Sequence, residues 1–401
     1  MHTPATPTVQ HDPLASLRLA ESLADAALRD APLDPALAES LLADASVDGP
    51  DAEAIALPAL LSAAYAVRRH HFGDAVRVHV LNNAQNGHCP EDCAYCTQAR
   101  TSKADINPYP QKSLDEMLDE ARAAHASGAH RYCMVFAGRG PSASRTRQLA
   151  EAVRRIKQEV DIEVCVSAGL LDQAKAAALA DAGVDRYNHN LNTSARNYAS
   201  ICSTHTYDDR RDTLAAARTA GISLCSGLIV GMGETRRELV DLATTLRDLA
   251  AESIPVNFLL PFEGNLMNRP VDLTPRYCLR VLALFRLMCP RAEVRVAAGR
   301  EHHLRSLEPM ALQPANSLFL GGYLNARGAE ARKLYGTLRD AGYTLDTTAD
   351  AAALFEGLDE VIDAEDRAAD TKPATLTCGG QQPRDGIKSI DELRPFQAAE
   401  A

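Results

Sequence analysis

Three cysteines stand close together in one polar segment, Cys89-Pro-Glu-Asp-Cys93-Ala-Tyr-Cys96. A structural zinc site needs four closed ligands, usually from two C-x2-C-like pairs, and the sequence has no second pair. His88 is a candidate fourth ligand, but it directly adjoins Cys89, which is awkward geometry. An iron–sulfur cluster suits three thiolates better, because a [4Fe–4S] cluster would keep one iron open for a substrate or cofactor.

Three further cysteines are isolated and fall within separate predicted strands: Cys133, Cys165 and Cys225. One such cysteine is more often a small core residue than a ligand. Since the inward-facing residues of barrel strands meet in shared layers, three thiols on separate strands can nevertheless converge. Arg295 lies in another predicted strand, where it needs a charged or strongly accepting partner. An ion pair with Glu293 or Glu301 is the structural alternative to a ligand role.

Asparagines and glycines mark two further stretches that could contact a small ligand. If the fourth predicted strand continues, Asn188, Asn190 and Asn192 share one face. Asparagine is a poor strand former, and its amide supplies both a donor and an acceptor. The stretch from Gly227 to Glu234 lets the backbone approach a ligand closely, although a tight turn before a helix explains it equally well.

The elements that would position these residues alternate along the middle of the chain, where short β-rich runs are separated by alanine-rich helical segments. Eight candidate strands are predicted: 76–80, 131–136, 162–167, 186–190, 223–230, 255–260, 293–296 and 317–320. This order favours an α/β fold of the TIM-type (β/α)8 class, with a doubly wound sheet as the alternative. The cysteine triplet then follows the first strand, at the catalytic face of the barrel.

The ends of the chain differ from this middle part. Residues 1–72 predict an N-terminal helical extension, residues 73–348 the barrel, and residues 349–401 a C-terminal extension. The last thirty residues are polar and contain glycine and proline, so we expect a loosely held, flexible tail there.

Composition limits the classes of function. The chain has 401 residues and a formal net charge of −11, which disfavours nucleic acids and anionic membranes as partners. It has no long apolar run and no secretory signal, so we expect a cytoplasmic location. Ten cysteines in such a chain do not predict a disulfide framework. Four of them are expected to pack or to be exposed: Cys202, Cys278, Cys289 and Cys378.

Five segments between residues 76 and 342 closely resemble the biotin synthase family of radical S-adenosylmethionine (SAM) enzymes. They are Asn86–Cys96, Tyr187–Ser194, Cys225–Thr235, Val294–Glu301 and Ala315–Gly321. The resemblance implies a [4Fe–4S] cluster on the triplet Cys89, Cys93 and Cys96, which cleaves SAM to a deoxyadenosyl radical. It also implies a [2Fe–2S] cluster held by Cys133, Cys165, Cys225 and Arg295. The family reaction inserts sulfur from this second cluster into dethiobiotin.

The same resemblance assigns ligand contacts. The residues implied to bind SAM are Tyr95, Asn190, Asn192, Arg210, Gly231 and Glu234. Those implied to bind dethiobiotin are Asn188, Asn190 and Asn257, whose amides suit a ureido ring. The chain departs from the family at Asn192, where many relatives carry an acid, and in the segment after Cys133. An electron-donor protein such as flavodoxin and a homodimer are implied by the family only.

Two other functions remain open. A related radical SAM enzyme acting on another small molecule would be expected to lack the strand cysteines or Arg295, and all four are present. A structural iron–sulfur or zinc protein, or a protein that only binds a ligand, would need neither the asparagines nor the glycine stretch.

Overall fold

The computed structural model of the chain describes residues 13–49, 52–269, 273–324, 326–327 and 331–355. Its strands are β1 Ala75–Gln85, β2 Arg131–Phe136, β3 Glu163–Ser167, β4 Arg186–Asn188, β5 Ser223–Cys225, β6 Leu228–Val230, β7 Ser253–Phe258, β8 Glu293–Val296, β9 Ser317–Leu320, β10 Gly322–Tyr323, β11 Ala326–Arg327 and β12 Thr344–Leu345. Parallel pairing follows the order β1-β2-β3-β4-β5-β7-β8-β9, and β9 pairs back with β1. This closure confirms the (β/α)8 barrel and excludes the doubly wound sheet.

Helices cover the outside of the barrel. They are α1 Pro13–Leu28, α2 Pro35–Ser40, α3 Ala45–Asp48, α4 Leu57–Phe72, α5 Leu114–Ala126, α6 Ala143–Glu159, α7 Gln173–Ala180, α8 Tyr198–Ile201, α9 Tyr207–Thr219, α10 Arg236–Asp248, α11 Pro275–Met288, α12 Arg300–Leu304 and α13 Ala331–Asp340, with a 3-10 helix at Arg305–Leu312. Capping boxes begin α5, α9 and α10, because a Ser or Thr and the acid three residues later satisfy each other's backbone N–H groups. These caps fix where the chain turns from the catalytic face into each helix.

Two predicted strands are shorter than expected. The fifth, predicted as 223–230, is interrupted: β5 ends at Cys225 and β6 begins at Leu228. A Cβ at Gly227 would lie 1.9 Å from the backbone oxygen of Pro255, so only glycine lets the two backbones approach this closely. The fourth, predicted to reach Asn190, ends as a strand at Asn188.

The N-terminal helices pack against the outside of the barrel at α10 and α11. Arg280 of α11 is fully buried, donates to the backbone oxygens of Leu41 and Ile55 at 3.0 Å each, and pairs with Glu53 at 2.8 Å. These contacts satisfy a buried cation with groups from the extension, so the extension is fixed to the barrel. Of the predicted C-terminal tail, residues 356–401 lie outside the described residues. Every helix in the described part of the chain is too short or too polar to cross a membrane.

Candidate active site

The cysteine triplet lies in the loop after β1, at the C-terminal ends of the barrel strands. The loop turns sharply at Gly87 and His88, which both have positive φ, and a Cβ at Gly87 would lie 2.8 Å from Pro108. Burial raises the pKa of Cys89 and raises that of Cys96 to about 11, although backbone N–H groups partly offset the effect. Without a bound metal these two sulfurs are therefore thiols, whereas a metal ion would hold them as thiolates.

Cys93 lies beside a cysteine for which the sequence predicted no chemistry. Its S–H donates to Cys202 across 3.8 Å, and this hydrogen bond with burial raises the pKa of Cys93. The same hydrogen bond lowers the pKa of Cys202 to about 4, and His205 contributes in the same direction. Cys202 packs in a buried apolar cluster, which agrees with the expectation of a packing role, but its contact with His205 was not predicted from the sequence. The short C-x-x-H spacing of Cys202 and His205 was the sequence signal that could have indicated it.

The other cysteines without predicted chemistry behave differently. Cys278 and Cys289 are buried among the apolar residues of the main core, which confirms a packing role for both. Cys378 lies outside the described residues.

The strand cysteines converge inside the barrel, as predicted. Cys133 and Cys165 are directly paired in register, and all three thiols belong to one buried cluster with Phe319: Cys133, Cys165 and Cys225. Hydrogen bonds from Cys165 raise its own pKa and lower those of Cys133 and Cys225. The Nη1 atom of Arg295 lies 3.8 Å from the Cys225 sulfur, and its guanidinium lies 5.0 Å from the centre of the Phe319 ring. The three thiols and the guanidinium of Arg295, all predicted site residues, therefore lie next to one another inside the barrel.

The guanidinium of Arg295 pairs with the buried carboxylate of Glu293, one of the two partners considered from the sequence. Its Nη2 atom donates to Glu293 at 2.6 Å and to Ser253 at 2.8 Å. Glu293 also accepts two hydrogen bonds from Arg131 at 3.1 Å, and His79 lies 3.2 Å away. Burial would raise the pKa of Glu293, but the two arginines and His79 hold it well below its ordinary range. The carboxylate therefore stays charged and orients Arg295 toward the sulfurs.

The predicted asparagines divide into two groups. Asn188 and Asn190 line a small cavity together with Cys133, Cys165 and Arg295.

Asn188 donates to the Cys225 sulfur at 3.2 Å, and Asn190 accepts from the Gly227 N–H at 3.0 Å. Asn192 does not share their face, because the backbone there has a φ of 70° and the strand has already ended. Asparagine tolerates this left-handed conformation. Its amide instead donates to the hydroxyl of Tyr95 at 2.6 Å, within the cysteine loop.

Arg210 lies next to these residues, almost fully buried. It donates to the backbone oxygen of Asn190 at 2.7 Å and also to the Tyr198 hydroxyl. Its Nη2 atom lies 2.9 Å from Nε2 of His205. The arginine thus provides a positive charge beside Cys93, and the sequence prediction of a site residue rather than a surface residue agrees with its burial.

Two predicted ligand contacts already have backbone partners. The carboxylate of Glu234 accepts from the N–H groups of Gly231 at 2.6 Å and Met232 at 2.8 Å. The amide of Asn257 donates to the Leu228 oxygen at 2.8 Å and accepts from the Ala298 N–H at 3.1 Å. Both side chains therefore shape the rim of the site by holding its backbone, and their contact with a ligand stays a prediction.

Comparisons with known proteins agree with this geometry. The family model of the Radical SAM superfamily matches residues 86–246, and that of the Biotin and Thiamin Synthesis associated domain matches residues 255–344. A biotin synthase of Magnetococcus marinus is 56% identical over 289 residues, which are 72% of this chain and 90% of that protein. A biotin synthase of Streptomyces avermitilis is 45% identical over 340 residues, which are 82% of this chain and 84% of that protein.

Solved structures share the fold at lower identity. Methylornithine synthase is 20% identical with a TM-score of 0.70, over 84% of this chain and 99% of that chain. The FeFe-hydrogenase maturase of Carboxydothermus hydrogenoformans is 17% identical with a TM-score of 0.68, over 86% of this chain and 87% of that chain. These two solved structures show the fold alone. The two biotin synthases, in contrast, align over most of this chain and most of their own length. The chain therefore belongs to the biotin synthase family of radical SAM enzymes.

Proposed function

We propose that this enzyme inserts a sulfur atom into dethiobiotin and so forms biotin. Family membership supplies the reaction class, SAM and the [4Fe–4S] cluster. For this chain the proposal rests on one observation above all: three buried thiols form one cluster inside the barrel, and Arg295 lies 3.8 Å from one of their sulfurs. A radical SAM enzyme that donates no sulfur has no need of these thiols, so the alternative of a related enzyme with another substrate is disfavoured.

Cys89, Cys93 and Cys96 would hold the first cluster. The donor set fits, because three sulfurs share one loop and backbone N–H groups donate to two of them, as they do to the ligand atoms of many metal sites. When bound, this cluster supplies the electron that cleaves SAM. Arg210 offers the charge that pairs with the carboxylate of SAM, since it is buried and cationic.

Tyr95 and Asn192 are linked by a hydrogen bond at the same loop, and we assign them to the adenosine part of SAM. Tyr95 offers an aromatic face, and the amide of Asn192 offers a neutral acceptor. Gly231 and Glu234 would act on SAM through the turn that they form together.

Cys133, Cys165, Cys225 and Arg295 would hold a [2Fe–2S] cluster. The fit is again in the donor set, because the three sulfurs lie in one buried cluster and the Nη1 atom of Arg295 faces one of them, while Glu293 and Ser253 engage the Nη2 atom. When bound, this cluster supplies the sulfur atom. The carboxylate of Glu293 balances the charge of Arg295 and keeps the guanidinium in one orientation.

Dethiobiotin would bind at the cavity that Cys133, Cys165 and Arg295 line inside the barrel. Its lining combines the amides of Asn188 and Asn190 with apolar side chains, among them Leu81, Val135 and Phe319. The amides suit the ureido ring, and the apolar wall suits the saturated carbons that react. A polar base cannot remove hydrogen from such carbons, so a radical is required. We assign Asn257 to positioning this wall, because its amide ties β6 and β7 to the chain after β8.

The remaining parts of the proposal rest on family resemblance. An electron-donor protein such as flavodoxin would supply the reducing electrons, the enzyme would act as a homodimer, and both clusters would suit the reducing cytoplasm. We also propose the division into an extension at 1–72, a catalytic barrel at 73–348 and a C-terminal extension at 349–401.

Anaerobic reconstitution with iron and sulfide, followed by an assay with SAM, dethiobiotin and a one-electron reductant, tests the proposal. The wild-type chain should form 5′-deoxyadenosine and biotin. Cys225→Ala should form 5′-deoxyadenosine without biotin, whereas the matched variant Cys289→Ala, which changes a cysteine of the outer core, should form both. A reconstituted wild-type chain that makes no 5′-deoxyadenosine would reject the radical reaction, and biotin from Cys225→Ala would reject the role of the second thiol cluster.

A further inference from the structure

A second reactive group lies beside the SAM-cleaving site and has no part in the proposed function. Cys202 follows helix α8, and its sulfur lies 3.8 Å from that of Cys93 and 3.2 Å from Nδ1 of His205. Asp92 Oδ1 lies 3.3 Å from the same sulfur. Both thiols are buried, and Cys202 is followed in the chain by the exposed Ser203.

The hydrogen bonds of His205 decide between two uses of this group. Two sulfurs and an imidazole nitrogen lie within 4.8 Å of one another, which also fits a metal ion. Arg210 can only donate, so Nε2 of His205 accepts its hydrogen bond and the ring proton lies on Nδ1. That N–H faces Glu91 Oε2 at 2.7 Å and the Cys202 sulfur at 3.2 Å. A metal ion on Nδ1 would have to displace the proton, so the arrangement favours thiol chemistry.

We propose that Cys93 and Cys202 form a reversible disulfide when the chain meets a peroxide before its first cluster is assembled. Hydrogen peroxide oxidises the Cys202 sulfur to a sulfenic acid and is reduced to water. The Cys93 sulfur then attacks the Cys202 sulfur, the S–O bond breaks, and the hydroxyl leaves with the proton of Cys93 as a second water. In total two thiols and one peroxide give one disulfide and two waters. To form the bond, the sulfurs need to approach from 3.8 Å to about 2.0 Å.

The disulfide would protect a cluster ligand, and this part rests on the proposed role of Cys93. A lone thiol can be oxidised onward to sulfinic and sulfonic acids, which are irreversible. A disulfide stops this sequence and is reversed by a dithiol. While it persists, Cys93 cannot bind iron, so cluster assembly would require prior reduction.

Peptide mapping of the full-length chain tests the disulfide directly. The chain is stripped of metal with a chelator, reduced, treated with one equivalent of hydrogen peroxide, alkylated and digested without reductant. Mass spectrometry should find the peptides of Cys93 and Cys202 joined, with a mass two hydrogens below their sum. The cross-link should be lost in Cys202→Ser, which keeps a polar group beside Asp92 and His205. It should be unchanged in Cys289→Ser, a buried cysteine far from the site. Free, alkylated Cys202 in peroxide-treated wild type, or Cys93 joined to Cys89 or Cys96 instead, would overturn the proposal.

A second measurement keeps the disulfide separate from the proposed function. Iron bound after reconstitution should fall in peroxide-treated wild type and recover with dithiothreitol, whereas Cys202→Ser should not recover. If the joined peptides form but iron binding is unaffected, the disulfide stands and the role of Cys93 as a ligand fails. If iron binding is lost without the joined peptides, the disulfide fails and the ligand role stands.

Discussion

Replacing Glu293 with glutamine removes the carboxylate that faces two fully buried guanidinium groups at the base of the barrel. Glu293 is 1% exposed, accepts from Arg295 at 2.6 Å and accepts from Arg131 at 3.1 Å. Removing one partner of a buried ion pair costs about 3–5 kcal/mol, because the other charge stays buried without compensation. Glutamine keeps one acceptor oxygen, so we expect the free energy of unfolding to fall by about 3 kcal/mol.

Urea unfolding followed by circular dichroism measures this loss, since the chain has no tryptophan for fluorescence. The matched control is Glu151→Gln on the exposed face of α6, where the carboxylate lies 3.7 Å from Arg154. Such exposed pairs contribute less than about 0.5 kcal/mol, so the control should unfold like wild type. A loss below about 1 kcal/mol for Glu293→Gln, at an unchanged dependence on urea, would refute the reasoning that this carboxylate balances the buried arginines.

The pH dependence has a definite sign. Because the pKa of Glu293 is held well below its ordinary range, its contribution is fully present above the unfolded pKa of about 4.3. The contribution is lost as the pH falls through the folded pKa. The difference in stability between wild type and Glu293→Gln should therefore be constant from neutral pH to about pH 5 and should shrink only in stronger acid. A difference that grows on acidification would contradict this sign.

Three further predictions concern other parts of the molecule. Asn192→Asp introduces a charged acceptor, which forms a stronger hydrogen bond, so SAM should bind about fivefold more tightly in equilibrium dialysis. Weaker binding would contradict the assignment of Asn192 to SAM. Gly227→Ala places a Cβ 1.9 Å from the Pro255 oxygen, so the free energy of unfolding, measured by thermal unfolding, should fall by about 3 kcal/mol. A stability equal to that of wild type would contradict the close approach of the two backbones. Burial would raise the pKa of Asp44, but hydrogen bonds from Thr274, Ser46 and Arg276 lower it to about 2. Wild type should therefore lose its stability advantage over Asp44→Asn as the pH falls from about 4 toward 2. A loss that begins near neutral pH would contradict this prediction.

The sequence predicts the barrel and its two thiol groups because both follow from regular rules. Alternating strands and helices specify the closed parallel sheet, and inward-facing residues on neighbouring strands must meet. Cys133 and Cys165 are therefore found side by side, although they are 32 positions apart in the chain. The same rule places Arg295 on the inner face, and the sequence alone leaves two candidate partners for it, Glu293 and Glu301.

The features that the sequence does not predict depend on the paths that the loops take through space. Cys202 reaches Cys93 only because the segment after β4 folds back over the cysteine loop, and the two are 109 positions apart. The prediction that Asn188, Asn190 and Asn192 share one face is wrong, because a period of two holds only while the strand continues. Gly227 interrupts the fifth strand because another backbone lies against it, and this contact is a property of the closed barrel.

We propose that the thiols inside the barrel hold the cluster whose sulfur enters the product. The most direct measurement is a single anaerobic turnover of the chain reconstituted with isotopically heavy sulfide, with the mass of the biotin product read by mass spectrometry. The wild-type chain should give biotin that carries the heavy isotope, and Cys225→Ala should give 5′-deoxyadenosine but no biotin. Biotin of natural isotopic mass from the labelled enzyme would contradict the claim.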